Sequence, residues 1–293
     1  AALGRQAGKA VYFTIENIPQ TRRQIVMLEQ GRSLPSRLKA LWHIGRVERH
    51  RRRTFAQADG LQANGYPAAD LYRQINPNTV FYLDNRIDAA LLATPAEMAA
   101  RRAHLLGGGK LRLIHSGRLE PLKGAQDLIP IARLLRDGGL DFVVDIFGGG
   151  SLEGDIRRGI AQHGLSDQVR LHGVADFATE LVPYARQNSD LFLSCHRQSD
   201  PSCSYLENMG CGLAVAGYAN LMWAALAADS RAGWAVPMGD VQAMATQLIA
   251  LNADRAEIAA ACDRAHAFAD THLFEKEFAR RIDQMLPAAG KGL

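Results

Sequence analysis

From Leu111 onward, short and almost uninterrupted apolar runs alternate with longer stretches in which apolar positions recur every three or four residues. The runs predict strands over 111–116, 142–147, 169–171, 191–194, 213–216 and 234–236. The periodic stretches predict helices over 125–136, 152–163, 179–187, 204–210, 222–228 and 241–251. Strands with no polar face, separated by helices, imply a parallel sheet covered on both sides. Two last helices, about 255–268 and 274–286, have no strand after them and are expected to cross back onto the first domain.

The first half is sparser. Residues 10–15 read as a strand. A helix is expected over 36–58, with Leu38, Leu41, Ile44, Val47 and Phe55 on its apolar face and Arg51 interrupting that face. Its other faces carry Arg37, Lys39, Arg46, Arg49, Arg52 and Arg53. Short strands follow over 60–63 and 79–83, ending in Asn64-Gly65 and Asp84-Asn85. Residues 95–106 predict a helix with Thr94 as N-cap and Pro95 in its first turn. Gly107-Gly108-Gly109 is the expected hinge. The chain is thus read as an α/β protein, with a partial domain over 1–106 and a larger one over 107–293.

A length of 293 residues suits two domains with ample core. The net charge of +4 is unevenly spread: residues 1–105 carry 16 Lys+Arg against 8 Asp+Glu, and the rest 18 against 22. That contrast predicts different partners for the two domains. The cysteines, Cys195, Cys203, Cys211 and Cys262, form no C-x-x-C pair and are expected as buried free thiols in a reducing compartment. No apolar stretch approaches the roughly 18 residues of a membrane span, and no signal sequence is apparent. A cytoplasmic protein is expected, peripheral at most on the inner face of a membrane. The first residue is Ala1 rather than Met, so the chain is expected to be processed or to start within a longer protein.

The segment richest in chemistry runs from Leu191 to Gly217. An apolar run stops at a proline-broken polar loop, a helix opens at Ser204-Tyr205-Leu206-Glu207, and a second apolar run follows. Strand, loop, helix, strand sets backbone N–H groups and one carboxylate at the edge of a parallel sheet, where phosphorylated ligands bind. The strand over 111–116 leads into Gly117-Arg118, and Lys123-Gly124 comes next. Two cations beyond a strand end suit a diphosphate, or are a surface pair. The run Phe147-Gly148-Gly149-Gly150-Ser151 either brings backbone up to a ligand or only makes a tight turn. Glu153 stands where the third glycine of a dinucleotide fingerprint belongs. Glu207 has two accounts, the capping box Ser204-x-x-Glu207 and a ligand contact. His115 and His196, at strand ends, either face a cleft or are satisfied inside the fold, and Trp223 and Trp234 read as core or lid residues. The chain has no Gly-x-Ser-x-Gly, HExxH or Walker A pattern, and its Arg-rich helix does not suggest a nucleic-acid partner.

Taken in order, Gly117-Arg118, Lys123-Gly124, Phe147-Gly148-Gly149-Gly150, Val169-Arg170-Leu171-His172-Gly173 and Leu206-Glu207-Asn208-Met209-Gly210-Cys211-Gly212 carry a resemblance. The segment over roughly 111–286 resembles the nucleotide-binding half of retaining GT-B glycosyltransferases of family four, the glycosyl transferases group 1. The resemblance implies two Rossmann-like domains. It implies that Arg118 and Lys123 hold the donor diphosphate and stabilise the leaving nucleotide, with Gly117, Gly148 and Gly150 beside the phosphates. Glu207 would accept from the ribose hydroxyls, and the loop from Gly173 and Val174 would line the base. Ser202, Cys203, Ser204 and Tyr205 would bring donors to the phosphates and the sugar. No metal and no cofactor are implied, because the Arg/Lys pair and a helix N-terminus take the divalent ion's role. Two positions depart from the family. Ser199 stands where a second Glu is usual, eight residues before Glu207, so Asp200 is expected to take the sugar contact or the sugar is recognised differently. About 105 residues are too few for a complete acceptor-side Rossmann unit. The first domain is therefore expected to be truncated, or the chain to begin upstream; Glu16 is the one acceptor-side candidate.

The expected activity is retaining, metal-independent transfer of a hexose from a nucleotide diphosphate donor to a glycan or lipid-linked acceptor in cell-surface polysaccharide synthesis. The basic helix over 36–58 would face anionic lipid. Two other readings stay open. One is a non-catalytic sugar-nucleotide binding subunit, motivated by Ser199 and the short first domain. The other is an NADP-type oxidoreductase built on Gly148 to Gly150, with Arg170 reading the extra phosphate.

Overall fold

Parallel pairing organises the chain into two separate sheets. The computed structural model describes residues 2–29 and 31–286. The chain divides into two compact units. The first holds the residues up to Asp84, Ser199–Cys203 and the segment from His272; the second holds Asn85–Gln198 and Ser204–Thr271.

In the first unit the elements are α1 (Ala2–Gln6), β1 (Tyr12–Ile15), α2 (Pro19–Leu28), α3 (Leu34–Ala56), β2 (Gly60–Asn64), α4 (Tyr66–Tyr72) and β3 (Thr79–Tyr82). The strands lie in the order β1-β2-β3, all parallel. Ile15, Ile18, Phe55, Leu61, Ala63, Ala68, Ala69 and Tyr72 form the core. Helix α3 differs from expectation in its buried face. Leu38 is 68 % exposed, whereas Leu41, Ile44 and Val47 are half-buried and Phe55 is buried. Arg51 belongs on that inner face: its guanidinium donates to the Asn17 carbonyl, pairs with Glu48 and lies over the rings of Phe55 and Tyr72. Helices α2 and α4 were not legible as periodic patterns. α2 buries only Thr21 and Val26, and α4 runs for seven residues after Gly65.

In the second unit α5 (Pro95–Leu106) precedes β4 (Leu111–Ser116), α6 (Leu128–Asp137), β5 (Phe142–Phe147), α7 (Glu153–Gln162) and β6 (Val169–Gly173). Then come α8 (Val182–Asn188), β7 (Leu191–Ser194), α9 (Ser204–Gly210), β8 (Ala214–Tyr218), α10 (Leu221–Ser230), β9 (Gly233–Val236), α11 (Val241–Ala253) and α12 (Arg255–Thr271). The six parallel strands run β6-β5-β4-β7-β8-β9. This is the doubly wound order in which the first and fourth strands meet, and ligands bind outside the carboxyl ends at that switch point. Here the switch lies between β4 and β7. The helix expected over 125–136 begins only at Leu128, after two short 3-10 turns, Pro121–Lys123 and Ala125–Asp127. Gly124 explains the break. Its φ is +70°, and a Cβ there would lie 1.8 Å from the Cys195 carbonyl oxygen.

Helix α5 belongs to the second unit, so the division falls after Asp84 rather than at the glycine run 107–109. Thr94 and Glu97 close a reciprocal capping box at its start. Arg101, only 3 % exposed, donates to the carbonyls of Ser189, Gly212, Ala185, Arg186 and Cys211. Five backbone acceptors replace the water this guanidinium gave up. Helix α12 packs on α5 and α9 in the same unit, whereas the last helix, α13 (Phe274–Met285), packs on β3 of the first unit. Gln62, Gln284, Arg281 and Glu277 make its polar seam: Gln62 Nε2 donates to the Arg281 carbonyl, Gln284 Nε2 donates to the Leu61 carbonyl, and Glu277 accepts from the Leu83 amide.

Candidate functional site

Strand β4 runs into Gly117, whose amide donates to Phe147 at 3.0 Å, and β5 runs into Gly148, whose amide donates to Gly173 at 2.7 Å. The three strand ends β4, β5 and β6 are thus laced together by backbone. Gly148 has φ +130°, and a Cβ on it would sit 1.9 Å from the Gly117 carbonyl oxygen. A Cβ on Gly150 would sit 2.5 Å from the Leu119 carbonyl oxygen. Close backbone approach therefore accounts for these glycines without a ligand. Arg170 lies 4.0 Å from Asp145, and His172 holds the same carboxylate at 2.7 Å while stacked on Phe147. That arrangement gives Arg170 a structural partner and lends nothing to the NADP reading.

Arg118 is exposed at this edge. Its charge helps hold the Glu120 carboxyl below the usual range, after the larger effect of the Ser151 hydroxyl and amide, which donate to it at 2.6 and 2.9 Å. Lys123 is buried, 7 % exposed, on the turn that leads to α6. Its charge acts on two buried histidines. His115, on β4, sets Nδ1 3.0 Å from the Leu193 carbonyl, and its Nε2 has no hydrogen-bond partner among the described residues. His196, just past β7, has no hydrogen-bond partner at either ring nitrogen among the described residues. Burial first, and then the Lys123 charge, push both histidines toward the neutral form; His115 falls to about 4 even though its carbonyl bond acts the other way. Neither ring is a satisfied core histidine, and both cluster at the switch point.

Glu207 stands in the first turn of α9 and is buried. Both of its oxygens accept from Arg86, from Nε at 2.7 Å and from Nη2 at 3.1 Å. The Arg86 guanidinium also lies over the Phe177 ring, 3.8 Å from its centroid. Phe177 opens a π turn, Phe177–Leu181, in the loop that follows Gly173 and Val174; Val174 is 83 % exposed. Asn208, the next residue of α9, donates to the Ser116 hydroxyl at 3.0 Å and so ties the helix to the end of β4. Tyr205 is buried, stacked on Trp223, and its hydroxyl accepts from Asn220, which also donates to the His196 carbonyl. Trp223 is therefore a core residue, its indole N–H held by the Trp234 carbonyl.

The second unit thus brings together Gly117, Arg118, Lys123, Gly148, Gly150, Gly173, Val174, Ser204, Tyr205 and Glu207 along one sheet edge. Asp200, Ser202 and Cys203 belong to the first unit. Their segment is held to α2 through Ser199, whose carbonyl accepts from Thr21 and whose amide and hydroxyl both bond Gln24. Glu16, at the end of β1, accepts from Asn64 at 2.9 Å and from the Tyr82 hydroxyl at 3.4 Å, so one residue from each strand of the smaller sheet converges there. Sequence reasoning missed Arg86 and Phe177. Neither sits in a motif, and a sequence separation of 121 hides the pairing of Arg86 with Glu207.

Residues 97–267 match the family described as Glycosyl transferases group 1. The amylovoran biosynthesis glycosyltransferase AmsK of Erwinia amylovora is 27 % identical over 181 residues, 60 % of this chain and 44 % of AmsK. The chain thus spans less than half the length of that curated relative. Among solved structures, TarM of S. aureus superposes with a TM-score of 0.66 at 15 % identity, over 95 % of this chain and 51 % of TarM. HepE of Anabaena, in complex with UDP and glucose, gives 0.63 at 17 % identity, over 96 % of this chain and 73 % of HepE. These likenesses show the fold, the α/β architecture of GT-B glycosyltransferases. The family match spans more than half of the chain, which belongs to the glycosyl transferases group 1.

Proposed function

We propose that the second unit binds a nucleoside diphosphate sugar and that the protein transfers its hexose to a glycan or lipid-linked acceptor, in the synthesis of a cell-surface polysaccharide. The observation that carries this reading is the convergence on the β4/β7 switch point: a buried lysine, an exposed arginine and a buried carboxylate joined to β4 by the Asn208–Ser116 bond. Arg118 and Lys123 take the diphosphate. As the bond between the anomeric carbon and the phosphate oxygen breaks, its electron pair stays on that oxygen, and the two cations stabilise the charge. They fill the role of a divalent ion, so the reaction needs no metal and no cofactor. Glu207 accepts from the ribose hydroxyls and the loop from Gly173 lines the base. The acceptor hydroxyl attacks from the face the nucleotide leaves, with retention, and its proton passes to the departing phosphate oxygen. AmsK is named for amylovoran biosynthesis, and HepE and TarM were solved with UDP, which supports the donor class.

Helix α3 supplies the acceptor side of the proposal. Leu34, Leu38 and Trp42 form an exposed apolar stripe, with Arg46 over the Trp42 ring and Arg49, Arg52 and Arg53 also exposed further along the helix. Such a helix suits an anionic membrane surface that carries a lipid-linked acceptor. A second reading, a sugar-nucleotide binding subunit without turnover, draws on Ser199, which spends its polar groups on α2. Turnover of any donor sugar would exclude it.

The deciding experiment is a thermal-shift panel of UDP, GDP, ADP, CMP and NADPH with EDTA present, on wild type and Arg118→Ala. A ligand at a hundred times its dissociation constant adds about 2.7 kcal/mol to stability. A rise with one nucleoside diphosphate, lost in the variant, is the expected result and names the base. A response to NADPH alone would overturn the reading. Anomeric proton NMR of the product tests retention.

A further inference from the structure

Arg86 offers two guanidinium N–H groups to the two oxygens of Glu207. Two vicinal ribose hydroxyls would offer the same carboxylate the same pattern of paired donors. The guanidinium also covers Phe177, in the loop proposed to take the base. One side chain therefore bridges the two places where a nucleoside would rest. With Arg86 in place the Glu207 side chain is only 8 % exposed, whereas that of Arg86 is 59 % exposed. A carboxylate so covered takes up a ribose diol only after the guanidinium leaves. An arginine so exposed can leave, because water readily replaces a partly solvated ion pair.

We propose that Arg86 gates the nucleotide site: paired with Glu207 and stacked on Phe177 it closes the ribose position, and it swings out when a nucleoside diphosphate enters. The inference rests on Glu207 as the ribose acceptor. The apparent dissociation constant then equals the intrinsic one divided by the open fraction. A gate closed about nine times in ten weakens binding about tenfold, and Arg86→Ala recovers that factor. Inorganic pyrophosphate, which meets Arg118 and Lys123 but not Glu207, is indifferent to the gate.

Isothermal titration calorimetry on wild type, Arg86→Ala, Arg86→Lys and Glu207→Gln tests this, with UDP, GDP, ADP and inorganic pyrophosphate as probes. Arg86→Ala is expected to tighten the nucleoside diphosphate that binds about five- to tenfold, with Arg86→Lys between it and wild type and pyrophosphate unchanged. Unchanged or weaker nucleotide binding in Arg86→Ala, while Glu207→Gln still abolishes it, overturns the gate and leaves the ribose reading standing. Full nucleotide affinity in Glu207→Gln overturns the ribose reading, and the gate with it.

Discussion

His115 and His196 are the residues whose burial makes the clearest demand on solution conditions. Both are held neutral inside the fold, His115 with a pKa of about 4. In the unfolded chain a histidine titrates near 6.5, so between about pH 6.5 and 4 the unfolded state binds the extra protons. Stability is therefore full above that range and falls as pH drops through it. His115 contributes a slope on the order of 1 kcal/mol per pH unit in that window, and His196, also pushed toward its neutral form by burial, adds to the loss in the same direction. Urea unfolding at pH 7, 6 and 5 should show this slope reduced in His115→Gln and reduced again in the double variant with His196→Gln; an unaltered slope would refute it. Gly148 makes a steric demand instead. In Gly148→Ala the new methyl meets the Gly117 carbonyl, and a loss of about 2–3 kcal/mol is expected in the same assay. The sequence left both sites ambiguous, because a strand-end histidine and a glycine run look alike whether they serve a ligand or the fold.

Among elements, α5 and α3 carry separable predictions. α5 is docked by Arg101 onto five carbonyls, and Arg101→Met would leave those acceptors buried and unpaired. A loss of about 3 kcal/mol or more is expected, with amide exchange in α5 accelerated before the sheet's. Equal protection of α5 in both proteins would contradict that role. α3 is tested by co-sedimentation with phosphatidylserine and phosphatidylcholine vesicles. Binding is expected to anionic vesicles at low salt, with each cation near the surface worth about 1 kcal/mol, and to weaken in Trp42→Ser and at high salt. Absence of binding at low salt removes the membrane from the proposal. The six strands and most helices of the second unit were legible in the sequence, since a buried parallel strand has no polar face to confuse the pattern. The buried face of α3 was not, because Leu38, spaced like a core residue, stands in the open while Arg51 takes an inner position.

At the scale of the whole molecule, each unit has its own parallel sheet and its own core. A nucleoside diphosphate that binds the second unit is expected to slow amide exchange over 115–124, 173–181 and 204–208. No such protection is expected in Arg118→Ala. Among the described residues no helix is long and apolar enough to cross a membrane. The last two helices part company: α12 stays with the unit it follows in sequence, and α13 joins the sheet of β1 to β3.

The sequence alone determined the alternation of strands and helices, the parallel sheet and the order of motifs along the β4 and β7 ends. Those features are local, written in apolar runs and turn residues a few positions apart. Tertiary structure decided which residues meet across long separations. It set Arg86 on Glu207, gathered His115, His196 and Lys123 into one cluster, gave Ser199–Cys203 to the first unit and placed α5 in the second. Such pairings follow from strand order and loop closure, and no spacing within the chain encodes them.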